Sequence, residues 1–305
     1  MSAGAVKFNA HAQSSFAASA AYDQHRPTYS PTIVQFLLEK LNVAGKQGAH
    51  IVDLAAGTGK LTEALAAREE QFEITAVEPH DGMREVLVAK KLPRVKVVDG
   101  TGESMPAVKD ANVDAVFVAQ AFHWFANMPA LKEIHRVLHR HGGLGLVWNA
   151  EEYNQPKDHP TSTPGETKLR EILWKVIAEA GDREPRFRDL EWRKVFDEQV
   201  KKTPLSLIKA DGEQLFSLPI GQHLEPFEVA LSVEQAWQRF NTLGHISTLQ
   251  GEAKERVYKE FLDALTEGVQ QDERGNVILH GNTWAVWTMK IPAEGVEGLA
   301  DVQSL

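Results

Sequence analysis

The sequence predicts an α/β protein built on a doubly wound, mostly parallel sheet. Short apolar runs at 51–54, 72–77, 95–98, 113–118 and 144–148 alternate with stretches of helical periodicity, and such strand–helix–strand units close as right-handed parallel crossovers. The first run ends in a tight turn, Asp53-Leu54-Ala55-Ala56-Gly57-Thr58-Gly59, that opens a helix. The second ends in an acid, Glu78, about 20 residues beyond that turn, where a carboxylate can accept hydrogen bonds from a ribose.

Taken in order, Ser30-Pro31 reads as an N-cap with proline at the first helical position, and Ile33, Phe36, Leu37 and Leu41 mark one apolar face. Leu61 and Leu65 continue the helix after the glycine turn, and Met83, Val86 and Leu87 lie on the next one. The spacing predicts a helix from Leu131 to His139, stopped by Gly142-Gly143 ahead of a fifth strand, Leu144 to Trp148. Pro156, Pro160 and Pro164 then mark a loop before an amphipathic helix through Leu169, Ile172, Leu173, Val176 and Ile177. Asp182 to Lys202 reads as a second helix of this insertion.

Leu215 to Leu218 and Phe227 to Leu231 suggest strands, and Ser232 to Gln235 is a capping box that opens a helix carrying Trp237 and Phe240. Another helix carries Val257, Phe261 and Leu265. Val277 to His280 and Thr283 to Ile291 read as two strands joined around Gly281-Asn282. The expected organisation is an N-terminal lid (1–29), an α/β core (30–150), a helical cap insertion (151–210), and the rest of a seven-stranded sheet with its helices (211–305).

Composition narrows the function. With 33 basic and 42 acidic residues the net charge is −9, which disfavours nucleic acid or an anionic membrane as partner. No cysteine is present, so disulfides, thiolate nucleophiles and cysteine zinc sites are excluded. Residues 1–21 lack the apolar core of a signal peptide, and no run approaches the roughly 18 apolar residues of a membrane span. A cytoplasmic protein, monomeric or homodimeric, acting on a small molecule, is expected.

The glycine turn separates the ligand classes. Gly57 and Gly59 have no Cβ to keep a ligand from the backbone, and the following helix offers N–H groups to it. A P-loop would need glycine at position 54 and Ser or Thr at 61, where this chain has Leu54 and Leu61. A dinucleotide fingerprint would need glycine at 62, which is Thr62, and this argues for a cofactor without a pyrophosphate.

With the run Gln120-Ala121-Phe122-His123-Trp124-Phe125 after the fourth strand, the chain resembles the class I S-adenosylmethionine-dependent methyltransferases. Within them it resembles the small-molecule branch (methyltransferase type 11) that includes the ubiquinone-pathway and trans-aconitate enzymes. Ala55 stands where that family usually has its first glycine. The resemblance implies that Asp53, Ala55, Gly57 and Gly59 hold the cofactor, with Glu78 on its ribose and Met83 against its adenine. It also places Gly102 and Glu103 at the adenine edge and Gln120 near the methionine portion.

His123 and Trp124 would line the space beside the transferable methyl, with Trp148 also facing the substrate. Tyr22 and Arg26 would belong to a closing lid, Arg26 pairing with a carboxylate. His123 is either a general base or a wall of the pocket. His135 and His139 stand one helical turn apart, but without a metalloprotease pattern they are explained by a helix C-terminus, so no metal is expected. The expected activity is methyl transfer to an oxygen, nitrogen or carbon of a small organic acceptor, a carboxylate among them. The alternatives are a protein that binds the cofactor without transferring its methyl, and an NAD-dependent oxidoreductase.

Overall fold

Helix α1 (Pro31–Lys40) starts where Ser30, in extended backbone, accepts the N–H of Ile33 on its Oγ at 3.1 Å. It leads into the sheet of a computed structural model that describes residues 28–181, 184–200, 214–266 and 268–292. Strand β1 (His50–Leu54), α2 (Lys60–Ala66), β2 (Glu73–Val77), α3 (Asp81–Ala89) and β3 (Val95–Val98) follow. They are succeeded by β4 (Val113–Ala119), α4 (Met128–Val137) and β5 (Leu138–Glu151). Beyond β5 come α5 (Pro164–Ala180), the single turn α6 (Lys194–Asp197), β6 (Gly221–Leu231), α7 (Val233–Asn241), α8 (Gly244–Ser247), α9 (Gly251–Thr266) and β7 (Val277–Met289).

The seven strands lie in the order β3-β2-β1-β4-β5-β7-β6, the first five parallel and β7 antiparallel to both neighbours. The order reverses between β1 and β4, so the carboxyl ends of those strands open the crevice where ligands of such sheets bind. One face packs on α4 through Leu131, Ile134 and Val137, and the other on α1 and α2 through Ile33, Leu37, Leu61 and Leu65.

Four expectations are corrected. First, β7 is one continuous strand, so Gly281-Asn282 is not a turn: Gly281 pairs with Glu151 on one side and Phe227 on the other. The Phe227 ring occupies the place of the missing side chain, 2.2 Å from where a Cβ would stand, so the glycine serves a close approach within a strand. Second, helix α4 runs from Met128 to Val137 because Asn127 caps it at 2.9 Å, and Leu138 and His139 already belong to β5. Third, between Asp182 and Lys202 the described residues form short turns, with α6 the longest helix among them. Fourth, Leu215 to Leu218 contributes only a bridge from Phe216 to Lys290.

Helices α5, α7, α8 and α9 share a core around Tyr153, Phe240, Phe261 and Leu279. The helical layer therefore draws on chain both before and after β6. The short turns behave differently: Phe187, Trp192, Val195 and Phe196 pack into the α4 face of the sheet, over the end of β5.

Candidate active site

The turn after β1 is held from within the core. Asp53 is fully buried, and its Oδ2 accepts the hydroxyl of Thr62 at 2.6 Å across the first turn of α2. Thr62 thus replaces the third glycine of a dinucleotide motif with a side chain that ties helix to strand. The other oxygen, Oδ1, has no hydrogen-bond partner among the described residues. Burial, reinforced by the nearby charge of Glu78, pushes the Asp53 carboxyl up to about 7 against the pull of the Thr62 hydroxyl.

The two glycines do different work. Gly57 (φ +58°) would bring a Cβ only to 3.7 Å from Met83 Sδ, so there is room for a side chain here and the glycine answers to the left-handed backbone alone. Gly59 (φ +89°) would drive a Cβ to 2.2 Å from Leu87 Cδ1, so its lack of a side chain serves the packing of α3 as well as the turn. Ala55 sits at φ +57°, in the left-handed region that favours glycine over a residue with a Cβ. Relieving that strain with Ala55→Gly, less the added freedom of the unfolded chain, is expected to stabilise the protein by about 0.5–1 kcal/mol in urea titrations.

Glu78 closes the turn from β2. Its Oε2 accepts the N–H of Gly57 at 2.8 Å and its Oε1 the N–H of His80 at 2.9 Å. Each oxygen keeps a further lone pair for a ligand hydroxyl. Burial raises its pKa, offset by these two N–H groups. Of the turn's amides, those of Ala56, Gly57 and Gly59 are taken by Val77 O, Glu78 Oε2 and Ala56 O.

Met83 is buried on the first turn of α3, beside Gly57. At Gly102 a Cβ would meet Phe125 at 2.3 Å, so the loop after β3 lies flat on the aromatic run that follows β4. Glu103 accepts Asn127 Nδ2 at 2.6 Å and so joins that loop to the cap of α4.

The segment after β4 forms the remaining wall. Gln120 adopts φ +60°, donates its N–H to Val147 O at 2.8 Å and reaches Asn149 O through Nε2 at 2.9 Å. His123 is buried, and its Nδ1 accepts the indole N–H of Trp148 at 3.2 Å, so that nitrogen carries a lone pair and the ring proton of the neutral form lies on Nε2. Trp124 lies beside His123 with ring centroids 5.0 Å apart and carries the Arg186 guanidinium over its face at 4.3 Å. Trp148 stacks on Trp192 at 4.7 Å and Phe187 at 5.1 Å.

Arg186, Phe187, Trp192 and Asn149 are site neighbours that sequence reasoning missed. Asn149 left one signal, a polar residue within an otherwise apolar strand, and it donates to Thr28 O at 3.1 Å while accepting Thr283 Oγ1 at 2.6 Å. Tyr22 and Arg26 lie outside the described residues. His135 and His139 do not share a helix face: their Nε2 atoms meet Ile291 O and Asp114 Oδ1, each at 2.8 Å. Among the described residues Glu152, Glu166 and His280 could bring three ligand atoms within 4.8 Å of one another. Their carboxylates are already engaged by Ser162, Thr163 and the His280 N–H.

Comparison with known proteins agrees with this geometry. Residues 52–146 match the methyltransferase domain family. Over 274 residues the chain is 32% identical to an uncharacterized methyltransferase-like protein of Schizosaccharomyces pombe, covering 90% of this chain and 94% of that one. It is 42% identical over 132 residues to an uncharacterized methyltransferase of Mycobacterium tuberculosis, covering 43% of this chain and 50% of that protein. A solved structure from Anaeromyxobacter dehalogenans, provisionally assigned as a type II methyltransferase, superimposes with a TM-score of 0.55 at 16% identity, covering 88% of this chain and 98% of that one. That last likeness speaks for the fold alone. The chain belongs to the class I S-adenosylmethionine-dependent methyltransferases.

Proposed function

We propose that this protein binds S-adenosylmethionine over the turn between β1 and α2 and transfers its methyl group to an oxygen, nitrogen or carbon of a small organic acceptor. The observation that supports this reading is the pair of carboxylates at the turn, Asp53 with a buried, unpartnered Oδ1 and Glu78 clamped on the Gly57 N–H. The Glu78 carboxylate beside the turn, with the Asp53 acid beneath it, opposes a pyrophosphate and suits a cationic ligand, since charges interact strongly where water is excluded. Glu78 would take the ribose and Met83 the adenine, with Gly102 and Glu103 at the ring edge.

Bound here, the sulfonium supplies an already activated methyl group, so the protein contributes chiefly orientation. The hydrogen bond from Trp148 engages one ring nitrogen of His123 as an acceptor, which favours a positioning role over proton abstraction. If the attacked atom is a carboxylate oxygen, no base is required. His123→Ala is accordingly expected to keep kcat within about tenfold of the parent; general-base catalysis typically contributes roughly 100-fold or more, and a loss of that size would establish one.

The function is tested by incubating the protein with methyl-labelled S-adenosylmethionine and an ultrafiltrate of small metabolites. Label in an extracted product supports transfer. Tight cofactor binding with no labelled product would favour a protein that binds without transferring.

A further inference from the structure

A buried guanidinium at the end of β5 has a donor to spare. Arg239, on α7, is 7% exposed and Glu151, the last residue of β5, 4% exposed. Arg239 Nε pairs with Glu151 Oε1, while Arg239 Nη2 is buried without a hydrogen-bond partner among the described residues. An N–H group enclosed in this way is costly to leave unmade, and native structures satisfy such groups with protein, water or ligand.

The surroundings show which of these the position suits. Asn149, two residues before Glu151, faces the same side of the sheet and is the residue whose carbonyl Gln120 holds and whose amide meets Thr28. At about 3.3 Å per residue, Glu151 is therefore roughly 7 Å further along the strand, beyond the residue that joins the cofactor wall to the root of the N-terminal segment. Across the sheet Glu151 pairs with Gly281, and Gly281 pairs with Phe227, whose ring covers it. Arg239 is thus held at the carboxyl end of β5, on the edge of the sheet where the ligand crevice of such folds opens.

The charge of the guanidinium is already balanced by Glu151. A second carboxylate would place an uncompensated negative charge in the enclosure, whereas a carbonyl or hydroxyl oxygen would satisfy Nη2 at no such cost.

We propose that Arg239 is a specificity-determining residue of the methyl transfer, donating from Nη2 to an uncharged oxygen of the acceptor, with Glu151 holding the guanidinium in place. This rests on the methyltransferase reading above. It assigns the acceptor a polar oxygen remote from the methylated atom.

The test uses the full chain, methyl-labelled S-adenosylmethionine and the same metabolite ultrafiltrate in a dilution series, with cofactor affinity measured separately by calorimetry. Because Arg239→Met alone would strand the Glu151 carboxylate, the double variant Arg239→Met/Glu151→Leu, which replaces the ion pair with apolar groups, is compared alongside it. We expect the double variant to bind S-adenosylmethionine within threefold of the parent and to need at least tenfold more ultrafiltrate for half-maximal labelling. Arg239→Lys should recover part of that loss. Glu151→Gln should also weaken acceptor use, at least threefold, by releasing the guanidinium.

Labelling by the double variant at the parental ultrafiltrate concentration would overturn the proposal. Tighter acceptor use by Glu151→Gln would show that the acceptor oxygen is charged and overturn the uncharged assignment. Failure of the parent protein to label anything while binding the cofactor would instead defeat the transfer reading itself.

Discussion

Glu78→Ala is expected to weaken S-adenosylmethionine binding by roughly two to three powers of ten without unfolding the protein. Two hydrogen bonds from ligand hydroxyls to a charged oxygen, taken at the low end of their range, contribute about 1.5–2 kcal/mol each, so losing both costs about 3–4 kcal/mol, and each 1.4 kcal/mol is tenfold in affinity. The carboxylate also orders the turn through the Gly57 and His80 N–H groups, so its removal loosens the backbone on which the ligand rests. Calorimetric titration with S-adenosylmethionine and with its demethylated product checks this, with circular dichroism to confirm the fold. An affinity within fivefold of the parent would remove Glu78 from the cofactor site.

The second large effect concerns Asp53 and pH. Its carboxyl, raised by burial from 3.8 to about 7, keeps its proton in the native chain across a range where the unfolded chain has released it. More protons are then bound to the native state, so stability falls as pH rises from about 4 to about 7 and levels off above that. A rise of about three pH units at ~1.36 kcal/mol per unit sets a loss of about 2–4 kcal/mol from this residue. Asp53→Asn keeps an acceptor for the Thr62 hydroxyl and has no proton to lose. Between pH 5 and pH 8 the parent should therefore lose about 2–3 kcal/mol relative to the variant in urea titrations, the first part of the fall lying below pH 5. Parallel pH curves for the two proteins would mean that Asp53 is ionised in both states.

The strand–helix alternation was legible because each element carries its own period and caps. Ser30-Pro31, the glycine turn and the capping box at Ser232 act over three or four residues, and the structure has them where the sequence places them. The errors fall where a distant partner outweighs a local signal. Gly281-Asn282 reads as a turn in isolation, but β5 and β6 supply backbone partners on both sides and Phe227 fills the missing side chain's place. Leu138 and His139 read as helix, yet Leu138 pairs with Val113 of β4 and begins a strand.

The candidate site divides in the same way. Asp53, Gly57, Gly59 and Glu78 were readable because two strand ends and one turn set their positions. The aromatic stack of Trp148 on Phe187 and Trp192, the seat of Arg186 on Trp124, and the Arg239–Glu151 pair join residues 39 to 88 positions apart that no period connects.

By itself, then, the sequence determined the class of fold, the glycine turn after β1 and the acids beside it, since backbone freedom, capping and hydrophobic period are local properties. Only the tertiary structure decided that Asp53 is sealed beneath that turn, that His123 receives a proton-bearing neighbour, and that a guanidinium lies buried at the end of β5. Burial and pairing depend on what chain arrives from far away to exclude water, and desolvation is what gives a carboxyl, an imidazole or a guanidinium its working character.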